Sequence, residues 1–120
     1  MRNKLVVKVL TGSNDPERTA QAFTVAATAA ASGIEVSLWL TSEASFYALP
    51  GKCEEFELPH SAALSELRDQ ILAAGSITLC TQCAQRRGMS EKDLIAGISI
   101  KGSASFVAEI MEDGVQVVVY

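Results

Sequence analysis

The sequence predicts an α/β protein, a three-layer α/β/α sandwich built on a five-stranded, mainly parallel sheet. Five short segments are rich in Val, Leu and Ile, and segments with helical spacing of apolar residues separate them. Strands that are apolar on both faces are typical of a parallel sheet covered by helices on both sides. No repeat, low-complexity tract or linker interrupts this alternation, so we expect residues 1–120 to form a single domain.

The first strand leads into a well-marked helix. Asp15 and Pro16 indicate its start, because an aspartate side chain caps free backbone N–H groups and proline suits the first helical position. The helix is expected to run to about Ser32 and to stop at Gly33. Its many alanines allow close approach to a sheet or a second helix. The five predicted strands are Lys4–Leu10, Ile34–Thr41, Ile77–Leu79, Ile98–Lys101 and Val115–Tyr120.

The remaining helices are shorter. We expect a brief helix near Ser45–Leu49, an exposed loop to Pro59, and a helix capped by Ser61 that ends at Gly75. The apolar face of that helix comprises Ala63, Leu64, Leu67, Ile71 and Leu72. Further helical segments are predicted at Cys83–Arg87 before Gly88, at Ser90–Asp93 with a capping-box pattern, and at Ser103–Asp113 before Gly114.

Charge and hydropathy exclude several function classes. Ten Lys and Arg against fourteen Asp and Glu give a formal net charge of −4, and only Arg86 and Arg87 form a basic pair, which argues against nucleic-acid binding. No apolar segment reaches the length of a membrane span, and the N-terminal apolar run is too short for a signal peptide. We therefore expect a cytoplasmic protein, with Cys53, Cys80 and Cys83 as reduced thiols.

Two cysteines stand where a parallel sheet usually places its ligands. Cys80 follows the third predicted strand and Cys83 comes three residues later. If Cys83 lies in the first helical turn, both sulfurs sit near free backbone N–H groups, which favour the thiolate. The pair therefore suggests reactive thiol chemistry, and the alternative is two small, inert core residues.

Zinc is a competing interpretation for these cysteines. Cys53, Cys80, Cys83 and His60 make four possible ligands, but structural zinc sites usually have two close ligand pairs and here there is one. We therefore expect no metal site. Cys53, in a polar loop, is expected to be inert, and His60 to be a surface or interface residue.

The turn after the first strand offers a second candidate site. Thr11, Gly12, Ser13 and Asn14 resemble a flavodoxin phosphate loop, in which backbone N–H groups and hydroxyls hold the FMN phosphate. Trp39 and Tyr47 could flank a flavin ring. Acidic residues beside the loop and the short chain argue against this reading, so no cofactor is predicted. A thioredoxin reading fails because the Cys-x-x-Cys lies deep in the chain.

The chain resembles the DsrE/DsrF-like family, which includes sulfur-relay subunits. The most specific match is the segment CTQCAQRRG, a cysteine after the third strand followed by Arg86, Arg87 and Gly88. The turn after the first strand and the alanine-rich first helix match as well. The resemblance implies a sandwich of Rossmann-like or flavodoxin-like topology class over the whole chain, a cytoplasmic location, and trimers, hexamers or hetero-oligomers with related subunits.

The resemblance also implies a role for each cysteine. Cys80 would carry sulfur as a persulfide, exchanged with a donor or acceptor protein. Cys83 departs from the relay subunits, which have an alanine there, and a second thiol could attack the persulfide and release sulfide. Arg86 and Arg87 would add positive potential for an anion or an acidic partner. Whether the chain is a catalyst, a sulfurtransferase-type carrier, is left open.

Three hypotheses remain at this point. The first is sulfur transfer or thiol redox chemistry through Cys80 with Cys83. The second is a non-catalytic binding or assembly subunit, in which the alanine-rich helix and Trp39 form interfaces. The third is a nucleotide or flavin binder at the turn from Thr11 to Asp15.

Overall fold

The computed structural model describes residues 3–120, which form five strands and five α-helices, with at least one helix between successive strands. The strands are β1 (Lys4–Val9), β2 (Glu35–Leu40), β3 (Ser76–Cys80), β4 (Ser99–Lys101) and β5 (Val115–Val119). The helices are α1 (Pro16–Ala31), α2 (Lys52–Glu55), α3 (Leu64–Ala74), α4 (Thr81–Arg86) and α5 (Ser103–Ile110). Two 3₁₀ segments, Ser42–Ala48 and Glu91–Asp93, complete the regular structure.

All five strands join one parallel sheet in the order β4-β3-β2-β1-β5. The central strand β2 aligns Val36 with Leu5 of β1, and Leu38 with Ile77 of β3. Because every strand points the same way, the ends of β1, β2 and β3 open on the same edge of the sheet. The predicted α/β fold is thereby confirmed.

Helix α1 forms as the sequence predicts. The Asp15 side chain accepts the Arg18 N–H at 3.3 Å, Pro16 stands at the first helical position, and Gly33 follows at a positive φ of 83°. The buried side of α1 consists almost wholly of alanine, with Phe23 as its one large apolar residue. Small side chains let α1 lie close to α3 and to the sheet.

The two faces of the sheet are covered unequally. The larger core holds Leu38, Leu40 and Ile77 beneath α1 and α3. The opposite face holds a small cluster of Val6, Trp39 and Val115, covered by Phe106 and Ile110 of α5. Alternate residues of β1 and β2 serve the two cores, as the two-residue period of a strand requires.

A carboxylate on α5 anchors this helix to the thinner face. Glu109 accepts the indole N–H of Trp39 at 2.7 Å and the Ser37 hydroxyl at 3.1 Å, and pairs with Lys4 at 2.9 Å. Burial acts to raise the pKa of Glu109, but these three partners outweigh it and hold the pKa below its usual value. Trp39 is buried in this contact, and the alanine face of α1 packs on the sheet and on α3, so both are occupied within the chain.

Some predicted boundaries also differ. Ser61 does not cap α3: its hydroxyl donates to the Ala62 carbonyl, and the extended backbone at Ala63 immediately precedes the helix. The helix predicted at Cys83–Arg87 begins two residues earlier, directly after β3, and α5 ends at Ile110. The Ser90–Asp93 capping box forms around a single 3₁₀ turn. None of the described helices is long and apolar enough to cross a membrane.

The turn from α3 into β3 depends on a glycine. A Cβ atom added to Gly75 would lie 2.2 Å from the Val36 carbonyl oxygen, so the two backbones can meet only without a side chain there. We expect Gly75→Ala to destabilise the fold by about 1–3 kcal/mol or more, because the contact is with rigid backbone of the central strand. Urea unfolding followed by Trp39 fluorescence measures this change.

Gly102→Ala is the matched control for this prediction. An added Cβ at Gly102 would meet nothing closer than the Thr81 hydroxyl oxygen at 3.6 Å, which is an ordinary contact. Gly102 is the N-cap of α5, where alanine is disfavoured, so we expect a loss of no more than about 1 kcal/mol. Equal unfolding midpoints for the two alanine variants would contradict the steric argument.

Candidate functional site

Three chain segments meet where the central strands end. β3 ends in Cys80, β1 leads into the turn from Thr11 to Asp15, and β2 leads into the 3₁₀ segment Ser42–Ala48. Because β2 lies between β1 and β3, the segment that follows it lies between the cysteines and the turn. This is the sheet edge at which ligands of parallel sheets bind.

The cysteine pair has the local geometry that the sequence predicts. Cys80 is the last residue of β3 and directly precedes α4, and Cys83 lies in the first turn of that helix. Both are free thiols; Cys80 is half-buried, whereas Cys83 is only 7% exposed. The Cys80 thiol lies close enough to Cys83 to favour the thiolate form of that residue.

Cys83 is surrounded by hydrogen-bond donors. The Ser42 backbone N–H donates to its sulfur at 3.2 Å, and the Ser45 hydroxyl also acts on it. Burial alone would raise the pKa of Cys83. The donors and the positive charge of Arg87 outweigh burial and lower the pKa below its ordinary value.

Arg87 is held in place by three contacts around the cysteine helix. Its guanidinium donates to the Cys83 carbonyl at 3.2 Å, pairs with Glu43 at 3.6 Å and lies 5.5 Å from the centre of the Phe46 ring. Arg86 is exposed on the surface. The two arginines predicted as an anion site therefore differ: Arg87 is committed to the cysteine helix, and Arg86 faces solvent.

The polar groups of the turn after β1 form hydrogen bonds within the turn and with Thr19 of α1. The Gly12 N–H donates to the Asn14 side chain at 2.9 Å, and the hydroxyls of Thr11 and Thr19 lie 2.9 Å apart. The Thr19 hydroxyl also lies 2.9 Å from the Gly12 carbonyl. Of the predicted anion-binding residues here, Ser13 and Asn14 are exposed, whereas Gly12 is buried with its N–H already bonded.

Gly12 also connects the turn to the cysteine site. A Cβ atom at this position would lie 2.9 Å from the Glu43 backbone oxygen, so the turn packs tightly against the segment that follows β2. Glu43 in turn pairs with Arg87. The two candidate sites of the sequence analysis are thus linked through one residue that it did not name.

The aromatic residues do not support a flavin site. Trp39 lies in the small core under α5, whereas Tyr47 lies in the larger core on the opposite face of the sheet. The two rings therefore cannot flank one planar ligand. A cleft of about 500 Å³ does open beside Ser13, Glu43 and Tyr47, and neither Cys80 nor Cys83 lines it.

Cys53 and His60 lie apart from the pair. The exposed loop predicted around Cys53 is wrong, because this residue lies in α2, is 1% exposed and donates to the Tyr47 carbonyl at 3.6 Å. Burial raises its pKa to about 11, despite the nearby Arg68 guanidinium. His60 is exposed, as predicted. Residues 3–120 contain no cluster of three His, Cys, Asp or Glu side chains able to hold a metal.

Sequence reasoning missed four residues of this site: Ser42, Glu43, Ser45 and Phe46. It predicted only a short helix from Ser45, whereas the 3₁₀ segment begins directly after β2. Ser42 adopts a positive φ of 51°, which is uncommon outside glycine and lets the chain turn back toward α4. A usable signal was present, since polar residues at the end of a central parallel strand face the ligand-binding edge.

Fold and site together define a class of small α/β proteins that present a reduced thiol pair at the carboxyl edge of a parallel sheet. The chain belongs to the DsrE/DsrF-like family, whose sequence profile matches residues 3–120. The match confirms the resemblance carried by the CTQCAQRRG segment.

Curated relatives come from Methanocaldococcus jannaschii. The uncharacterized protein MJ0760 is 27% identical over 115 residues, which cover 95% of this chain but only 42% of that protein. The uncharacterized protein MJ0989 is 28% identical over 109 residues, covering 91% of this chain and 93% of the relative. The chain thus spans less than half of one relative and nearly all of the other.

Solved structures share the fold at low sequence identity. The ychN protein from E. coli superposes with a TM-score of 0.80 at 19% identity, with both chains covered in full. MTH1491 from Methanobacterium thermoautotrophicum, described as a protein of unknown function, gives a TM-score of 0.74 at 11% identity over 98% of both chains. These likenesses establish the fold.

The different burial of the three cysteines gives a direct prediction. Treating the native protein with iodoacetamide at neutral pH should leave Cys53 unmodified, because burial keeps it as a protonated thiol. Cys53 should react only after unfolding. Peptide mass mapping at successive times measures the order of modification.

The Cys53→Ala variant provides the control for this experiment. Its native time course should match that of the parent protein, since the residue it lacks takes no part in the reaction. Alkylation of Cys53 as fast as that of Cys80 would contradict the burial argument.

Proposed function

We propose that this chain is a sulfur-transfer protein of the cytoplasm, which carries a sulfane sulfur on Cys80 and uses Cys83 as a second thiol. One observation carries the proposal: two free thiols, one at the end of β3 and one in the first turn of α4, stand together at the ligand-binding edge of the sheet. Cys80 is the more accessible of the two, so it is the residue that meets a donor. Membership of the DsrE/DsrF-like family supports the same chemistry.

The first step transfers one sulfur atom. The Cys80 sulfur attacks the outer sulfur of a persulfide donor, a new S–S bond forms on Cys80, and the donor leaves as its thiolate. The exposed guanidinium of Arg86 suits an acidic donor or acceptor surface beside this site.

Two fates are open to the Cys80 persulfide. An acceptor thiolate can attack the outer sulfur and take it, which restores the Cys80 thiol. Alternatively, the Cys83 thiolate attacks the inner sulfur, hydrosulfide leaves, and a Cys80–Cys83 disulfide forms. An external dithiol would then reduce the disulfide to reset the pair.

Intact mass after exposure of the reduced protein to a polysulfide tests this function. We expect one added sulfur in the parent protein, no adduct in Cys80→Ser, and a longer-lived adduct in Cys83→Ser, because that variant lacks the resolving thiol. Cys53→Ala is the matched control and should keep the adduct, since Cys53 lies buried away from the pair.

Two outcomes would count against the proposal. Loss of two hydrogens without any sulfur adduct in any variant would indicate a plain dithiol–disulfide switch. No mass change at all would remove the thiol function and leave an assembly role in its place.

We also propose that the chain forms homo-oligomers through the outer surface of α5. Val107 and Met111, one helical turn apart, are 53% and 75% exposed, and Val119 on the edge strand β5 is 61% exposed. Exposed apolar side chains of this size favour burial against another molecule. A second copy of the chain is the proposed occupant of this surface.

A charged substitution tests the assembly. Met111→Glu should lower the molar mass measured by light scattering to that of a monomer, because it would place a carboxylate in an apolar contact. Glu112→Gln, a change at the neighbouring exposed position, should keep the parent mass. A parent protein that is already monomeric would contradict this proposal.

A further inference from the structure

The buried hydroxyl of Ser45 has no evident structural role. The side chain is 0% exposed, and its oxygen has no partner with full hydrogen-bond geometry among residues 3–120. A buried hydroxyl without a partner costs about 1–3 kcal/mol, so its retention needs an explanation. The Cys83 sulfur is the neighbour on which this hydroxyl acts, and it acts by favouring the thiolate form.

The other groups around the Cys83 sulfur also favour its thiolate form. The Ser42 backbone N–H donates to the sulfur at 3.2 Å, and the nearby Cys80 thiol also favours the thiolate form. A neutral thiol is a weak acceptor, whereas a thiolate accepts several hydrogen bonds. A pocket of converging donors is therefore complementary to a negatively charged sulfur.

Charged groups on the neighbouring elements also favour a negatively charged sulfur at Cys83. Arg87 follows α4 and is fixed over Phe46, so its positive charge stays beside Cys83. Glu43, on the segment after β2, pairs with that guanidinium, so its negative charge near the sulfur is offset. Lys101 of β4 stands next to Cys80 in the sheet register and adds a second positive charge on that side.

We propose that Cys83 is the resting thiolate of the pair, held by Ser42 and Ser45, and that it is the base that activates Cys80. This inference rests on the proposed sulfur-transfer function and assigns the proton within it. As the Cys80 sulfur attacks the outer sulfur of a persulfide donor, its proton passes to the nearby Cys83 thiolate. The S–S bond of the donor breaks and the donor leaves as a thiolate, so charge and atoms balance.

The assignment has a consequence for the lifetime of the carried sulfur. Once Cys83 holds the proton it is a neutral thiol, which is a poor nucleophile. It attacks the Cys80 persulfide only after it has lost that proton again. The same residue thus promotes loading as a base and, once it is a thiolate again, releases hydrosulfide as a nucleophile.

The test uses the reduced protein without any sulfur donor. The ultraviolet absorbance of thiolate is followed against pH below about pH 9, where Tyr47 and Cys53, whose pKa values burial raises, are still protonated. We expect a thiolate signal near neutral pH that disappears in Cys83→Ser. The signal should persist in Cys80→Ser, because a serine hydroxyl at position 80 can still donate to the Cys83 sulfur.

Ser45→Ala tests the buried hydroxyl. Its titration midpoint should rise by roughly one pH unit, about a tenfold loss of thiolate at a fixed pH, because one donor to a charged group is removed. Ser42→Ala is the matched control, since it removes a hydroxyl from the same segment but keeps the backbone N–H that bonds Cys83. Trp39 fluorescence checks that each variant is folded.

Two results would overturn the proposal. A thiolate signal that survives Cys83→Ser and is lost in Cys80→Ser would make Cys80 the resting thiolate. A midpoint in Ser45→Ala equal to that of the parent, or equal to that of Ser42→Ala, would remove the role of Ser45. The Cys80 and Cys83 comparison decides the assignment even if Ser45→Ala does not fold, and a failed polysulfide experiment would leave the titration result intact.

Discussion

The parallel pairing of β2 with both β1 and β3 is the constraint on which the rest of this structure depends. It brings three chain segments out on one edge of the sheet and places the one after β2 in the middle. Gly75 allows this arrangement because it lets the start of β3 approach the backbone of β2 without a side chain between them. The cysteine pair, the 3₁₀ segment and the turn after β1 are neighbours because of this strand order.

The chemistry of the site follows from how the middle segment is held. Ser42 turns the chain at a positive φ and directs its N–H at the Cys83 sulfur. Glu43 packs against Gly12 on one side and pairs with Arg87 on the other, which fixes the segment between the turn and α4. The thiol pair is thus surrounded by groups whose positions are set by backbone contacts and not by flexible side chains alone.

Much of the fold could be predicted from the sequence because its signals are local. The Asp15 and Pro16 helix start, the stop at Gly33, and the placement of Cys80 at a strand end with Cys83 in the next helical turn depend on residues close together in the chain. The strand order, the burial of Cys53 and the donors to Cys83 depend on contacts between distant residues. Cys53 looked exposed because charged residues flank it, yet one turn of α2 directs it inward while its neighbours face solvent.

The group of Ser42 that donates to Cys83 is a backbone N–H, and this affects which residues homologous proteins can have at position 42. Any residue except proline supplies a backbone N–H, so drift at position 42 would leave the contact in place. Ser45 has no such protection, because its contribution resides wholly in the side-chain hydroxyl. Two residues of the same 3₁₀ segment are therefore expected to differ in homologous sequences. Position 42 should vary, whereas position 45 should keep a residue with a hydroxyl group.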